Sequence, residues 1–329
     1  SNWIRFFTGV IYTVIRPSVV SGYLVYAWLA FWGTFFFYRA FVLAGPDGDR
    51  RTYRRWLFFM PSILFWPSSI GKESWMIFGL GIAAFGAAKA LHDRLLPGVL
   101  GAGIGIVLAA LVRAPIAVVL GLGIVVGGVL RRSSPRLRQL APIARLASIS
   151  LFAVSLFVLI GMMTRYFVRN GLGKADLEIL ASESLRLTGK GGSEFTPASI
   201  DSPTGLVVAA VTVLFRPFIY EAHTVEALVT SIEASILLLF SLVRFRWFVA
   251  AVRSARRTPY VATAIVYVAG SIVALSAVAN FGIIARQRTL IYPMYLVLLC
   301  ISPRRRTNRR EDARAKTVVP AATKGGGRL

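Results

Sequence analysis

Charged residues are scarce in this sequence. Only 16% of its 329 residues are charged, whereas 56% are hydrophobic. An ordinary soluble domain is about 25% charged and less apolar. The chain therefore has too little polar surface for a water-soluble globule, which excludes a soluble enzyme and a disordered tail protein. A single cysteine, Cys300, excludes an intrachain disulfide and hence a secreted disulfide scaffold.

The common catalytic motifs are also missing. The sequence contains no GxSxG, CxxC, zinc or dinucleotide-binding motif. Gly71 and Lys72 do not complete a Walker A loop, because the glycine required five residues before Gly71 is Trp66. We therefore predict no cofactor and no metal.

The positive charge is large and lies in clusters. Lys and Arg outnumber Asp and Glu by 38 − 14 = 24. The cations lie between apolar stretches, as the positive-inside rule expects of cytoplasmic loops, so we predict no nucleic-acid partner. The clusters placed inside are Arg50–Arg55, Lys89–Arg94, Arg131–Arg145, Arg244–Arg257 and the tail. Residues 304–329, the tail, are predicted to be a disordered basic cytoplasmic segment against anionic membrane lipids.

Apolar segments fill the rest of the chain and predict an all-α polytopic bundle, the transmembrane domain of residues 1–303. The segments are 3–15, 18–43, 56–69, 73–91, 97–112, 115–130, 146–168, 205–217, 224–243, 259–283 and 289–302. A spanning helix needs about 20 apolar residues, and several segments are shorter or broken by proline. Inside a bilayer, proline is tolerated only against protein or a wet cavity, so these breaks predict an internal cavity.

The longest connection, residues 169–204, decides which side of the membrane each segment end faces; we call it the outer loop. Placing it outside gives about ten crossings, with both termini cytoplasmic. The segment 205–217 then becomes a re-entrant half-helix, since 13 residues reach only about 20 Å. Residues 175–187 are predicted to form an outer amphipathic helix.

This topology collects the remaining ionisable residues at the outer ends of their segments. They are Arg16, Lys72, Glu73, Arg113, Arg165, Arg169, Arg216, Glu221, His223, Arg286 and Arg288. Ionisable groups at membrane depth are costly and by default suggest function.

Two breaks in the first half of the chain contribute to this set. In the stretch from Pro61 to Glu73, a half-helix ends in a Pro/Ser/Gly turn before a helix that starts at Lys72. Ser69 is its predicted cap, and the helix N-terminus would favour an anion, although Glu73 at that position is equally consistent with plain capping. At the second break, Arg113 precedes Ala114-Pro115 between two short glycine-rich helices and reaches either lipid headgroups or the cavity.

The strongest motif starts at Arg216-Pro217. His223, Glu226, Thr230 and Glu233 follow at i, i+3, i+7 and i+10, the spacing of one helix face. Two carboxylates on an apolar face must meet a cation, a wet cavity or a proton, and Arg216 is a natural partner. A structural salt-bridge cluster and a catalytic or substrate-binding cluster both fit this pattern.

A fourth motif is the short turn from Asn280 to Arg288. Arg286 and Arg288 flank a glutamine, an arrangement that suits bidentate recognition of phosphate. An interfacial anchor on the outer face is the alternative.

Three stretches resemble bacterial O-antigen-polymerase-type proteins, which are oligosaccharide repeat unit polymerases, and more widely C-superfamily glycosyltransferases. The stretches are Phe59–Trp75, Phe215–Glu233 and Asn280–Pro293. The positions that match their polar residues are Lys72, Arg216, Glu221, His223, Arg286 and Arg288. The resemblance implies a glycan carried on undecaprenyl pyrophosphate and handled at the outer face of the inner membrane.

The resemblance implies a cell-envelope polysaccharide polymerase or glycosyltransferase. Glu221 or His223 would take the proton of the acceptor hydroxyl. Pyrophosphate would be bound and stabilised by Arg216, Arg286, Arg288 and Lys72, with Arg113, Glu73, Glu226 and Glu233 as further candidates. The alternatives are a transporter of a lipid-linked glycan or anion, and a non-catalytic subunit working with other polysaccharide assembly proteins.

Overall fold

The computed structural model describes residues 2–15, 17–45, 47–92, 95–131, 195, 202–276 and 278–301. The secondary structure of these residues consists of helices, without strands. The helices are α1 (Asn2–Val14), α2 (Val19–Ala44), α3 (Arg50–Phe59), α4 (Pro61–Phe65), α5 (Lys72–Leu91), α6 (Leu95–Leu130), α7 (Pro203–Phe215), α8 (Val225–Val243), α9 (Phe245–Ser254), α10 (Pro259–Ser276), α11 (Phe281–Gln287) and α12 (Tyr292–Cys300). Short 3-10 turns lie at Ile219–Glu221 and Arg288–Leu290.

Five of these helices are long and apolar enough to cross a membrane, which supports the predicted membrane protein. They are α2, α5, α6, α8 and α10. The count rises to six if Phe281–Leu290 and Tyr292–Cys300, bent by 59°, form one broken span. The ten predicted crossings are not confirmed. Arg16, Arg165, Arg169, the segment 146–168, the tail and all of the outer loop but Phe195 and residues 202–204 lie outside the described residues.

The helix α6 is counted once but is folded back on itself. A straight helix would separate Gly98 from Gly127 by about 43 Å. In the structure, however, both glycines lie beside the end of α5. A Cβ on Gly98 would clash with Ala90, and a Cβ on Gly127 would lie 3.4 Å from the side chain of Leu91, the residue after Ala90. The fold occurs at Arg113, whose φ of −141° and ψ of 83° are not helical. The predicted break between two short glycine-rich helices is therefore confirmed.

Glycines allow the helices around α5 to approach closely. A Cβ on Gly105 would clash with the backbone of Ala83 in α5, and one on Gly81 with the backbone of Gly33 in α2. Gly123 packs in the same way against α10, where a Cβ would lie 2.7 Å from the carbonyl oxygen of Thr263. The small-residue spacing in α6 thus serves helix packing.

The helix directions give the bundle two distinct ends. At one end, the Asp49 carboxylate pairs with Arg244, and the backbone N–H of Asp49 donates to the carbonyl of Cys300. We call this the basic end, because Arg50–Arg55 and Arg253 also lie there. At the other end, the start of α5, the tip of α6 and the turn after α7 meet α11. We call this the polar end, defined by Glu73, Arg113, Arg216, Glu221, Arg286 and Arg288 together with Lys72 and His223.

Phe195 contacts residues of the polar end. The backbone N–H of Phe195 donates to the carbonyl of Ala279, 3.1 Å away. The Arg216 guanidinium, just after α7, lies 5.0 Å from the centroid of the Phe195 ring. Phe195 and Arg216 thus lie together at the polar end; the re-entrant path predicted for the segment 205–217 stays a prediction.

Candidate functional site

Arg216 and Glu221 form an ion pair at the turn that follows α7. Pro217 cannot continue the helix, so Arg216 adopts an extended conformation as the C-cap and Glu221 returns toward it in a 3-10 turn. The Arg216 Nε donates to both carboxylate oxygens, at 3.0 and 3.1 Å, and Nη2 donates to Oε1. The Phe218 backbone N–H also donates to Oε2, at 2.8 Å. Both carboxylate oxygens of Glu221 are therefore engaged.

These contacts also set the charge of Glu221. Partial burial would raise the pKa of its carboxyl, but the hydrogen bonds from Arg216 and Phe218 outweigh that effect and hold the pKa below its usual value. Glu221 is thus an ionised hydrogen-bond acceptor.

Two aromatic rings position the Arg216 guanidinium. Phe195 and Phe281 stack on each other with centroids 4.3 Å apart, and the Arg216 Cζ lies 5.0 and 4.9 Å from the two centroids. The quadrupole of each ring attracts the cation. No local pattern indicates Phe195, which lies in the predicted outer loop, whereas Phe281 lies within the fourth motif.

Arg288 is completely buried and contacts the backbone of two neighbouring elements. Its Nη1 donates to the carbonyl of Arg216, and its Nη2 lies 3.5 Å from the carbonyl of Thr230. Its Nε has no hydrogen-bond partner among the described residues. In this structure Arg288 therefore joins the turn to α8, and direct binding of pyrophosphate by Arg288 stays a prediction.

A second ion pair lies between α5 and the tip of α6. Glu73 is buried at 3% exposure, and its Oε1 accepts a hydrogen bond from Arg113 Nη2 at 3.0 Å. Arg113 therefore reaches into the protein, as one of the two interpretations predicted. The predicted cap is wrong: Gly71 is the N-cap of α5, because the hydroxyl of Ser69 donates to the carbonyl of Trp66 instead.

Arg286 lies near the second ion pair. Its guanidinium stacks over Trp66, with Cζ 4.7 Å from the ring centroid, and lies within electrostatic range of Arg113. Arg286 is exposed, and within the described part of the chain it forms no ion pair. It is thus available to an anion at the polar end.

The predicted stripe from His223 to Glu233 is wrong at its first residue, whereas Glu226, Thr230 and Glu233 lie within α8 at the spacing of one face. His223 precedes α8, whose N-cap is Thr224, so it does not belong to the helix. His223 and Glu226 are exposed, whereas Glu233 is buried and its Oε2 accepts a hydrogen bond from the Ser62 backbone N–H at 2.7 Å. The sequence missed this contact, because nothing near Ser62 indicates a partner 171 residues away.

An apolar cavity of about 500 Å³ lies beside the polar end. Its lining residues are Tyr23, Pro61, Leu64, Phe65, Ser68 and Ser69. It borders the turn that carries Trp66 and leads to the exposed Lys72. An apolar recess next to the two exposed cations Lys72 and Arg286 suits a ligand with an anionic head and a hydrocarbon tail.

The described residues contain no group of three or more His, Cys, Asp or Glu side chains that could hold a metal ion. What they provide is a candidate anion site, in which Lys72 and Arg286 are exposed and Arg113 and Arg216 are held by carboxylates. Comparison of the chain with protein-family models, curated proteins and solved structures finds no match. The functional conclusion therefore depends on this geometry.

Proposed function

We propose that the protein transfers or polymerises a glycan carried on undecaprenyl pyrophosphate at the outer face of a bacterial inner membrane. The observation that carries this proposal is the convergence of cations from four separate parts of the chain at one end of an apolar helical bundle. They are Lys72, Arg113, Arg216 and the pair Arg286 and Arg288. An apolar cavity beside them would accept the first part of the polyprenyl chain.

In this proposal the exposed cations make the first contact with pyrophosphate. Arg286 is oriented by Trp66 and is not neutralised by a carboxylate among the described residues. Lys72 lies at the start of α5, where the helix dipole adds to its charge. Arg216 and Arg113 stabilise the charge that develops as the pyrophosphate leaves.

The acceptor hydroxyl attacks the anomeric carbon, the bond from that carbon to the pyrophosphate oxygen breaks, and undecaprenyl pyrophosphate leaves. The hydroxyl proton goes to His223 or Glu221. The geometry favours His223, because it is exposed while both oxygens of Glu221 are occupied. Glu221 would then hold Arg216 in place for the departing pyrophosphate.

The sidedness is part of the proposal. The basic end carries the exposed Arg50, Arg51, Arg54 and Arg253, as the positive-inside rule expects of the cytoplasmic face. The polar end is then exterior, with about ten crossings and both termini inside.

The test uses purified protein in liposomes with an undecaprenyl-pyrophosphate-linked oligosaccharide. We expect longer glycans by gel electrophoresis, and their loss in Arg286→Ala. The matched control is Arg253→Ala, an equally exposed arginine at the basic end, which should leave chain growth unchanged. Chain growth that persists in Arg286→Ala combined with Arg216→Ala would overturn the site. Translocation without growth would instead favour a transporter, and neither activity a non-catalytic subunit.

A further inference from the structure

A groove of about 390 Å³ lies between α3, α4 and the middle of α8, a volume within the range of ligand pockets. Its apolar lining includes Trp56, Phe59, Pro61, Val229, Ile232 and Ile236. Phe59 is 74% exposed and Ile236 is 53% exposed, so in a membrane the groove opens toward lipid. The groove thus offers an apolar surface to a hydrocarbon chain.

Two contacts hold the walls of this groove together. Trp56 of α3 stacks on Phe240 of α8, with ring centroids 4.4 Å apart and ring planes at 25°. The Ser62 backbone N–H of α4 donates to Oε2 of Glu233 in α8, 2.7 Å away. Both α3 and α4 are therefore fastened to the same helix, and the groove is a fixed feature of the fold.

A cation, Arg55, also lines the groove. Arg55 is exposed and lies one helical turn before Phe59, and Arg51 is exposed one turn before Arg55, so the three residues share one face of α3. Helical side chains tilt toward the N-terminus of their helix, so Arg55 reaches toward the basic end, where α3 begins. Neither arginine forms an ion pair with another described residue.

Glu233 lines the groove as well, but its charge is not exposed there. The residue is 6% exposed, its Oε2 accepts the hydrogen bond from Ser62, and its Oε1 is buried. Its partner Ser62 lies in α4, after the Met60-Pro61 junction, whereas Arg55 lies in α3, before it. The carboxylate thus lies on the α4 side of the groove, and an anion beside Arg55 would meet an exposed cation.

We propose that the groove binds an anionic phospholipid from the leaflet at the basic end. The lipid phosphate contacts Arg55, Arg51 adds a second positive charge, and one acyl chain packs on the apolar walls. Guanidinium groups bind phosphate with parallel N–H donors, and basic sites between membrane helices bind anionic headgroups. A zwitterionic lipid offers the same hydrocarbon but carries a cation that the arginines repel. This inference is independent of the glycan activity, which is proposed for the opposite end of the bundle.

The experiment uses the full chain in phosphatidylcholine nanodiscs and two photoreactive probes, a phosphatidylglycerol and a phosphatidylcholine with the same diazirine-bearing acyl chain. We expect phosphatidylglycerol to label residues 229–236 or the facing part of α3 and α4, identified by mass spectrometry. Each arginine near the membrane surface contributes about a fivefold preference for an anionic headgroup, so labelling by phosphatidylglycerol should be about tenfold or more stronger. Raising the salt concentration should reduce this preference.

An arginine variant tests the headgroup contact. Arg55→Gln should lower the preference for phosphatidylglycerol about fivefold. The control is Arg54→Gln, which makes the same change of charge, because Arg54 is exposed on the same helix and does not line the groove. Equal labelling by the two probes in the unmodified protein, or an equal loss of preference in both variants, would overturn the proposal.

A second variant tests the acyl-chain contact. Ile236→Trp should fill the groove and reduce labelling of its walls by both probes. The control is Leu239→Trp, since Leu239 is 62% exposed on the same helix and does not line the groove. Labelling that survives Ile236→Trp would contradict a chain in the groove. Absence of labelling by either probe, with cross-linking between copies of the chain at residues 229–236, would assign the groove to a second copy instead.

Discussion

The two ends of the bundle each contain an arginine–carboxylate pair, but the pairs have different surroundings. At the basic end, Arg244 contacts Asp49 at 2.6 Å and stacks over Trp247 at 4.4 Å. Asp49 also accepts a hydrogen bond from the Thr52 N–H, so this pair caps α3 and ties it to the end of α8. The arginines around it are exposed, as expected for a cytoplasmic face that contacts lipid headgroups.

At the polar end, most arginines are held by specific contacts. Arg216 lies beside two stacked rings, Arg288 is buried against backbone carbonyls, and Arg113 reaches the buried Glu73. The basic end has more cations than the polar end, so the number of cations does not distinguish a candidate binding site from a positive-inside signal. The contacts that hold each guanidinium in place make that distinction.

The largest effect on stability is expected from Arg288. Arg288→Met removes the hydrogen bonds to the carbonyls of Arg216 and Thr230 and leaves the carbonyl of Arg216 without this partner, which should lower the free energy of unfolding by about 3 kcal/mol. The measurement is thermal unfolding in detergent. Arg253→Met, at the basic end, should leave the midpoint nearly unchanged; equal effects of the two variants would contradict the assigned role of Arg288.

Paired lysine substitutions separate positioning from folding. Arg216→Lys keeps the charge but loses the two-pronged contact with Glu221, so glycan chain growth should fall about a hundredfold, the typical effect of losing one transition-state donor. Arg244→Lys makes the same chemical change at the basic end and should reduce only the thermal midpoint. An equal loss of activity in Arg244→Lys and Arg216→Lys would contradict the positioning role of Arg216.

A smaller effect is expected where α5 meets the tip of α6. Arg113→Ala leaves Glu73 buried without its partner and should cost about 1–2 kcal/mol in the free energy of unfolding. Adding Glu73→Gln should recover part of this loss, because the amide carries no charge to solvate. Denaturation of the single and double variants gives the coupling energy, and strictly additive losses would show that the two residues do not interact.

The smallest effect concerns pH, and it is expected at both ends. Burial would raise the pKa of Glu221 and that of Asp49, but hydrogen bonds from arginine and backbone outweigh it and hold both pKa values below their usual range. A carboxyl with a lowered folded pKa stabilises the protein above its unfolded pKa, and this contribution is lost as the pH falls through the folded pKa. Thermal unfolding between pH 6 and pH 3 should therefore show an acid loss of less than about 1 kcal/mol per pair.

Glu221→Gln and Asp49→Asn should each reduce this acid sensitivity, by similar amounts. An undiminished pH dependence in both variants would assign the effect to other carboxyls.

The sequence predicted the fold where a local pattern was sufficient. The Arg113-Ala114-Pro115 break and the glycine spacing on either side predicted the hairpin within α6. The predicted ends of the apolar segments also included the two ion pairs that form at the polar end, Glu73 with Arg113 and Arg216 with Glu221. Sequence alone missed contacts between distant residues. Neither the Phe195–Phe281 stack nor the bond from Ser62 to Glu233 has a local signal, because each joins segments more than 80 residues apart.

Two further differences between the predicted and the observed helices have a local cause that hydropathy alone does not show. The apolar run 56–69 is split by Met60-Pro61, so it forms the end of α3 and the short α4 and not one long helix. Thr224 caps α8, which leaves His223 outside the helix that its spacing to Glu226 suggested.

The most direct test of the account is the side of the membrane that each end faces. Single cysteines at Lys72 and His223, at the polar end, and at Arg54 and Arg253, at the basic end, would be treated with a membrane-impermeant maleimide; the native Cys300 is buried and gives little background. We predict labelling of the first pair in intact cells and of the second pair only after permeabilisation. Labelling of both pairs from one side, or of the basic end alone in intact cells, would contradict an exterior cation site.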